Sequence, residues 1–229
     1  MGGSNSLGTW GYLNAVAELE EQLKQNEDSI KIQEGRSAED GASSSMPSFF
    51  DHITFACGSG GTAGGIGLAA ELNGMSRTGG TVIHPVGVCD SPEYFHDFIK
   101  KEIHDPLLKD NTLKKDDVRQ PEEYMNMIQG KGLGYAKTTT EEMALVHQVA
   151  QQTGVLLDPV YSGKALYAFI EYVKSNPEPF RGKNVLFWHT GGALGLYDKA
   201  GQIEAGLPQP QVSPLNVSPQ SPPIKKLKV

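Results

Sequence analysis

One stretch constrains the fold more than any other, because an apolar run, a glycine loop and a second apolar run follow one another directly. Residues 52–57 are rich in β-branched and aromatic side chains and predict a buried strand, and residues 66–72 predict a helix. The loop between them reads Cys57-Gly58-Ser59-Gly60-Gly61-Thr62-Ala63-Gly64-Gly65. Glycines let a backbone approach a ligand closely, and the first N–H groups of a helix have no acceptor within the helix. The junction therefore predicts a phosphate site. Its predicted donors belong to Gly58, Ser59, Gly60, Gly61 and Thr62.

A glycine-rich junction can also exist without a ligand, only to bring a helix close to a sheet. The run of small residues is longer than such a turn needs, which favours the ligand-binding interpretation. Residues 58–63 also fit the G-x-G-x-x-G/A pattern of dinucleotide-binding folds. That pattern requires an acidic residue about 20 positions further on, and the next predicted strand ends too late, at Asp90. A nicotinamide-dependent enzyme is therefore the weaker alternative, and the Gly-Lys-Ser/Thr of a P-loop is missing.

The remaining elements alternate between strands and helices, which predicts an α/β fold with an open, mainly parallel sheet flanked by helices. Further strands are predicted over residues 81–89, 124–128 and 184–188. Further helices are predicted over 7–25, 92–109 and 194–200, from Thr139 to Thr153, and from Ser162 onward. Thr139 and Glu142 form a capping box. Pro85 predicts a bulge or a strand start at its position.

Two segments fall outside this pattern. Residues 26–48 are polar and are expected to be a disordered insertion, and residues 207–229 form a Pro- and Ser-rich tail. One domain over residues 1–206 is therefore predicted.

Charge and hydropathy bear on partners and location. A net charge of -7 argues against nucleic acid or an anionic membrane as a partner. No apolar run approaches the ~20 residues of a membrane span, and no signal peptide is found. A cytoplasmic location is expected by default, with a mitochondrial one open, because a targeting segment could precede residue 1.

The metal-ligand and cysteine patterns predict no metal site. Cys57 and Cys89 end predicted strands and are expected to be reduced core residues. His96, His104 and Asp105 match no standard metal-ligand spacing and are expected on the solvated surface.

Two later stretches each place a further candidate site residue in a loop just before a helix. Tyr161 lies in a loop that follows Asp158-Pro159, just before a helix that Ser162 can cap. A buried core tyrosine is the alternative for Tyr161. Thr190 lies in a second glycine loop, which again follows a predicted strand and precedes a predicted helix. Because the carboxyl ends of parallel strands meet at one edge, both glycine loops are expected to share one pocket.

Five separated motifs resemble the family of D-cysteine desulfhydrase and 1-aminocyclopropane-1-carboxylate (ACC) deaminase. The motifs, in chain order, are Gly2-Gly3-Ser4-Asn5-Ser6-Leu7-Gly8, Ala56-Cys57-Gly58-Ser59-Gly60-Gly61-Thr62, Gly134-Tyr135-Ala136, Leu157-Asp158-Pro159-Val160-Tyr161-Ser162-Gly163-Lys164 and His189-Thr190-Gly191-Gly192. The resemblance runs from Gly2 to about Tyr197. It implies the tryptophan synthase β-like fold (fold type II), pyridoxal 5′-phosphate (PLP) as cofactor, a small amino acid as substrate and a homodimer.

The resemblance also implies roles for individual residues. The glycine loop, residues 58–62, would hold the cofactor's 5′-phosphate, and Thr190 would lie beside the pyridine nitrogen. Tyr135 and Tyr161 would be the catalytic residues. The deaminase subgroup carries a glutamate after the second tyrosine, where this chain has Ser162. This difference favours β-elimination of D-cysteine to pyruvate, hydrogen sulfide and ammonia.

One departure from the family concerns its Schiff-base lysine, which precedes the Gly-Gly-Ser-Asn motif. Here that motif begins at residue 2, so the chain is expected to be truncated at its N-terminus, to lack this lysine and to be inactive alone. Lys131, Lys137 and Lys164 are expected to face solvent. Two alternatives to the desulfhydrase stay open. They are an inactive fragment that binds phosphate compounds or a full-length homologue, and an ACC deaminase.

Overall fold

A sheet of parallel strands forms the centre of the fold in the computed structural model, which describes residues 3–33, 50–78, 80–199 and 201. The strands are β1 (His52–Cys57), β2 (Val82–Gly87), β3 (Ile128–Gln129) and β4 (Val185–Phe187). Their order in space is β3-β2-β1-β4, and every pairing is parallel. The open, parallel α/β sheet expected from the sequence is confirmed.

Helices cover both faces of this sheet. Within the described residues they are α1 (Ser6–Gln33), α2 (Gly61–Leu72), α3 (Pro92–Ile99), α4 (Asp105–Lys109), α5 (Pro121–Tyr124), α6 (Thr140–Thr153), α7 (Ser162–Ser175) and α8 (Gly195–Asp198). A π-helical turn, Lys100–His104, joins α3 to α4. The helix predicted over 92–109 thus forms as one helical run. None of the described helices is long and apolar enough to cross a bilayer.

Strand β1 has the predicted bounds, and all six of its residues are buried. Ile53 and Phe55 face a core that α1 and α2 share with the run from α3 to α4, and Ala56 faces a second core against α7. This alternation is the two-residue period of a strand. Burial on both faces explains why β1 reads as a continuous apolar run.

Pro85 lies inside β2, an interior strand, without a bulge or a strand start. Alternate residues of a parallel strand direct their N–H and C=O groups to opposite neighbours. Ile83 and Gly87 accept hydrogen bonds from Asn126 and Gly130 on the β3 side, so Pro85 faces that side too. The ladder is interrupted there, since β3 begins only at the partner of Val86. The missing N–H therefore costs no ladder bond.

The bounds of α1 and β3 differ from the prediction. Helix α1 continues to Gln33, past its predicted end at residue 25, and so includes the first part of the predicted insertion. Residues 34–49 and 202–229 lie outside the described part of the chain, and with them the rest of the predicted insertion and the whole of the predicted tail. The strand predicted over 124–128 is instead helical at Tyr124 and extended at 128–129, because Gln120 and Glu123 form a capping box that starts α5.

Candidate functional site

The glycine loop brings the end of β1 directly to the start of α2. Gly60 is the N-cap of α2 and has φ +91, a conformation that favours glycine. The helix begins at Gly61, earlier than the predicted residue 66. No side chain caps this end, so the first N–H groups of α2 are free of the usual side-chain acceptor. A Cβ at Gly60 would lie 2.5 Å from the Phe98 ring. The loop is therefore shaped both by its backbone conformation and by close packing.

Two hydroxyl pairs flank the loop. The Ser59 and Ser4 Oγ atoms are 2.6 Å apart, and Thr62 Oγ1 is 2.6 Å from the Tyr12 hydroxyl. Each pair uses one of its two hydroxyl protons for this hydrogen bond and keeps the second one. Ser4 also packs over Gly61. The start of α1 thus closes one side of the loop.

A cavity of about 800 Å³ opens where the predicted site residues meet. Its lining includes seven of the eight residues predicted from the sequence: Gly58, Ser59, Gly60, Thr62, Tyr135, Tyr161 and Thr190. Gly61 does not line it and instead lies buried in the first turn of α2. The loops after β1 and β4 therefore share one cavity, as predicted.

Sequence reasoning missed two acidic residues in the lining, Asp90 and Glu102. Asp90 follows β2 closely, so its place at the carboxyl end of a parallel strand was the signal that could have found it. Glu102 lies in the π-helical turn, which nothing in the sequence pattern indicated. No lysine, arginine or histidine is among the described residues that line this cavity.

The two candidate catalytic tyrosines are hydrogen-bonded to each other, with their hydroxyl oxygens 2.5 Å apart. The bond to Tyr135 is the main cause that raises the pKa of Tyr161 to about 12, and burial adds to it. Tyr161 is partly buried and packs against the second core, so its ring has features of the core-tyrosine alternative while its hydroxyl lies at the cavity. A Cβ at Gly58 would lie 2.7 Å from its ring, so this glycine makes room for the tyrosine. Tyr161 therefore remains protonated near neutral pH, and both tyrosines line the cavity.

The loop that presents Tyr161 is organised by Asp158 rather than by the predicted cap, Ser162. Helix α7 begins at Ser162, and the N-cap position is occupied by Tyr161, which makes no side-chain cap. The Asp158 carboxylate accepts hydrogen bonds from the N–H groups of Val160, Tyr161 and Ser162. A carboxylate four residues earlier thus satisfies the start of α7.

Lys164 is fully buried, which corrects the expectation that it faces solvent. Its Nζ lies 3.0 Å from Glu142 Oε1, and Glu142 also completes the predicted capping box with Thr139. The Lys164 ammonium is therefore engaged away from the cavity. Lys131 and Lys137 are exposed, as expected.

His104 is also buried, contrary to expectation, and its Nε2 lies 2.7 Å from the Tyr124 hydroxyl. Cys57 and Cys89 are both free thiols, and burial raises the pKa of each. Cys89 donates to the Gly58 carbonyl over 2.9 Å. No cluster of three or more potential metal ligands occurs in the part of the chain that the structure describes.

No protein-family model matches the chain. The chain is 41% identical over 203 residues to the bifunctional D-cysteine desulfhydrase/1-aminocyclopropane-1-carboxylate deaminase, mitochondrial, of Arabidopsis thaliana, covering 89% of this chain and 43% of that protein. It is 31% identical over 203 residues to the D-cysteine desulfhydrase of Serratia proteamaculans, covering 86% of this chain and 50% of that protein. The chain thus spans about half the length of the curated relatives it matches.

A solved structure is similar over nearly the whole chain. The crystal structure of an ACC deaminase homologue superposes with a TM-score of 0.63 and 25% sequence identity, covering 89% of this chain and 51% of that one. The parallel sheet, with its cavity at the strand ends, is that of fold type II, the tryptophan synthase β-like class. Within this class, the homologues that the chain matches are D-cysteine desulfhydrases and ACC deaminases.

Proposed function

We propose that this chain forms the phosphate-binding side of a PLP-dependent lyase of the D-cysteine desulfhydrase type. The observation that carries the proposal is the single cavity that collects the glycine loop, Thr190 and the hydrogen-bonded tyrosines. Its volume of about 800 Å³ suits a cofactor together with a small amino acid. The reaction would convert D-cysteine to pyruvate, hydrogen sulfide and ammonia.

The residues present fit the phosphate group of this cofactor. Gly60 leaves the start of α2 uncapped, and Ser59 and Thr62 bring hydroxyls to the same wall. The first N–H groups and the dipole of a helix favour an anion at its N-terminus. The cradle therefore neutralises a phosphate with peptide dipoles and hydroxyl groups.

The remaining walls would serve the reacting end of the cofactor. When bound, PLP supplies the electron sink that β-elimination requires. Thr190 would place a neutral hydroxyl near the ring nitrogen, and a neutral group does not enforce a protonated ring. Tyr161 and Tyr135 would hold a proton between their hydroxyls and could transfer it beside the substrate.

Position 162 supports elimination over ring opening. Ser162 is buried, and its hydroxyl donates to Asp158 over 2.7 Å. It therefore contributes no carboxylate that would keep the ring protonated as a stronger electron sink.

ACC deamination is the second candidate, because the Arabidopsis relative's name includes both activities. An inactive fragment that binds phosphate compounds or pairs with a homologue is the third, since the described cavity lining contains no lysine.

Titration of the purified chain with PLP tests the cofactor assignment. We expect binding that inorganic phosphate competes away, and a loss of at least about tenfold in affinity for Gly60→Ala, because alanine disfavours the positive φ and meets Phe98. Gly11→Ala is the matched control, because its Cβ would meet open space. An affinity that neither phosphate nor Gly60→Ala changes would contradict the proposal.

Product measurements then separate the candidate functions. Sulfide and pyruvate from D-cysteine indicate the desulfhydrase, and ammonia from ACC without sulfide indicates the deaminase. The same assays, run with the chain alone and with a full-length homologue added, identify an inactive fragment that needs a partner. Enhanced NADH fluorescence on mixing would instead favour the nicotinamide alternative.

A further inference from the structure

Asp158 is fully buried between the two loops that carry Tyr161 and Thr190. It does not line the cavity itself. Its two carboxylate oxygens nevertheless contact both loops. They accept hydrogen bonds on the Tyr161 side and pack against backbone on the Thr190 side.

On the Tyr161 side the contacts are hydrogen bonds. Oδ2 accepts from the N–H groups of Val160 and Tyr161 over 2.9 and 2.8 Å. Oδ1 accepts from Ser162, over 2.8 Å from its N–H and 2.7 Å from its hydroxyl. The Ser162 hydroxyl in turn accepts from the Asp158 N–H over 2.8 Å. These donors, together with the N-terminus of the 14-residue α7, balance the buried charge and fix the backbone at Tyr161.

On the Thr190 side the contact is close backbone packing. A Cβ at Gly192 would collide with Asp158 Oδ1, and one at Gly195 would lie 3.4 Å from Oδ2. Gly192 also has φ +102, so its backbone conformation favours glycine in its own right. Because Thr190 and Gly192 line the cavity, the carboxylate sets how near this wall lies to the tyrosine wall.

We propose that Asp158 is a positioning residue that fixes the Tyr161 loop and the Thr190 loop relative to each other. The inference rests on the proposed function, in which these two walls hold the ring of PLP. The phosphate cradle belongs to a different element, the start of α2, and within the described residues the hydrogen bonds of Asp158 stay in the Tyr161 loop and the first residue of α7. Loss of the carboxylate should therefore weaken recognition of the ring and leave recognition of the phosphate intact.

The test measures three properties of Asp158→Asn. They are its affinity for PLP, its affinity for inorganic phosphate and the ¹⁹F resonance of Tyr161. The amide replaces one oxygen with a donor, so it can no longer accept from all of its present partners. We expect the affinity for PLP to fall at least about tenfold and the affinity for inorganic phosphate to stay within about twofold of the unmodified chain. In chain labelled with 3-fluorotyrosine, the ¹⁹F resonance of Tyr161, assigned with Tyr161→Phe, should shift without any ligand.

Glu71→Gln is the matched control, since Glu71 is another buried carboxylate and lies at the far end of α2. It should lower stability without moving the Tyr161 resonance or the ratio of the two affinities. Ser162→Ala removes one donor and keeps the charge. It covers the case in which Asp158→Asn does not fold, and it should shift the resonance in the same way but less.

Each outcome separates the inference from the proposed function. An unmoved Tyr161 resonance in both variants, or equal losses for PLP and phosphate, overturns the inference even if PLP binds. A shifted resonance in a chain that never binds PLP supports the positioning of Tyr161 and overturns the proposed function.

Discussion

At the scale of single residues, Glu142 joins three parts of the fold through one carboxylate. Its Oε2 accepts from the Thr139 N–H over 2.8 Å at the start of α6. Its two oxygens lie 3.0 and 3.3 Å from the Lys164 Nζ of α7. Lys164 also lies 3.4 Å from the Lys131 carbonyl, in the loop that leads to Tyr135. A buried ion pair thus connects two helices and a loop beside the site.

Removing the lysine alone should be costly, because the carboxylate would then be buried without its cation. We expect Lys164→Met to lower the free energy of unfolding by about 3–5 kcal/mol. The double variant Lys164→Met with Glu142→Gln should be more stable than the single one, since glutamine can keep the capping contact without a charge. Urea denaturation measures both. If the free energy of unfolding of Lys164→Met is within about 0.5 kcal/mol of that of the unmodified chain, the ion pair contributes nothing to stability.

At the scale of elements, the glycines of α2 serve packing as well as the loop. Gly65 faces α1, where a Cβ would lie 2.7 Å from the Tyr12 Cβ and against its ring. Tyr12 is also the residue that hydrogen-bonds Thr62. The interpretation that small residues bring a helix close to its neighbour therefore holds for this part of the run. The ligand-binding interpretation concerns its beginning, residues 58–62.

Gly65→Ala should destabilise the chain even though alanine is the better helix former. The extra methyl group overpacks the contact between α1 and α2, which costs about 1–3 kcal/mol. Gly11→Ala in α1 is the control, because it meets open space and should be neutral or stabilising by up to about 1 kcal/mol. Thermal unfolding of the two variants decides the question. Equal midpoints would show that α1 can move away at no cost.

Local signals account for what the sequence predicted correctly. The bounds of β1 follow from its own composition, and the capping box of α6 needs only residues 139–142. The burial of Lys164 depends on Glu142, which is 22 positions away, and no local pattern contains that information. Pro85 is tolerated because of an interruption in a neighbouring strand. The glycine loop at residues 58–62 was found because it follows a predicted strand, whereas Tyr135, Tyr161 and Thr190 were assigned from the resemblance to a family. Their roles remain predictions.

At the scale of the whole molecule, buried histidines couple folding to pH. His84 lies 3.0 Å from His52 and 3.1 Å from Asn126, and His104 contacts Tyr124. Burial lowers the pKa of His84 to about 4, and the neighbouring His52 adds to this effect. Burial is also the main reason that the pKa of His104 falls to about 4. Both rings are therefore neutral in the folded chain near neutral pH.

This arrangement predicts a chain that loses stability in mild acid. Each histidine binds its proton near pH 6.5 when unfolded and near 4 when folded, so the unfolded state holds more protons between these values. The free energy of unfolding should be highest above this window and fall by up to about 1.4 kcal/mol per pH unit for each histidine as the pH drops. Urea denaturation at about pH 7, 6 and 5 measures the slope. The fall in the free energy of unfolding with pH should be shallower in His104→Gln. An unchanged slope would contradict the attribution of this fall to His104.

Among the described residues, the cavity lining contains no lysine, arginine or histidine, and this has a chemical consequence. Peptide dipoles and hydroxyls near the glycine loop neither gain nor lose protons between mild acid and mild base, unlike an amine. If they hold a phosphate monoester, the pH dependence of its capture should mirror the ligand's own second ionisation. Reagents that modify amino groups should then leave that capture untouched.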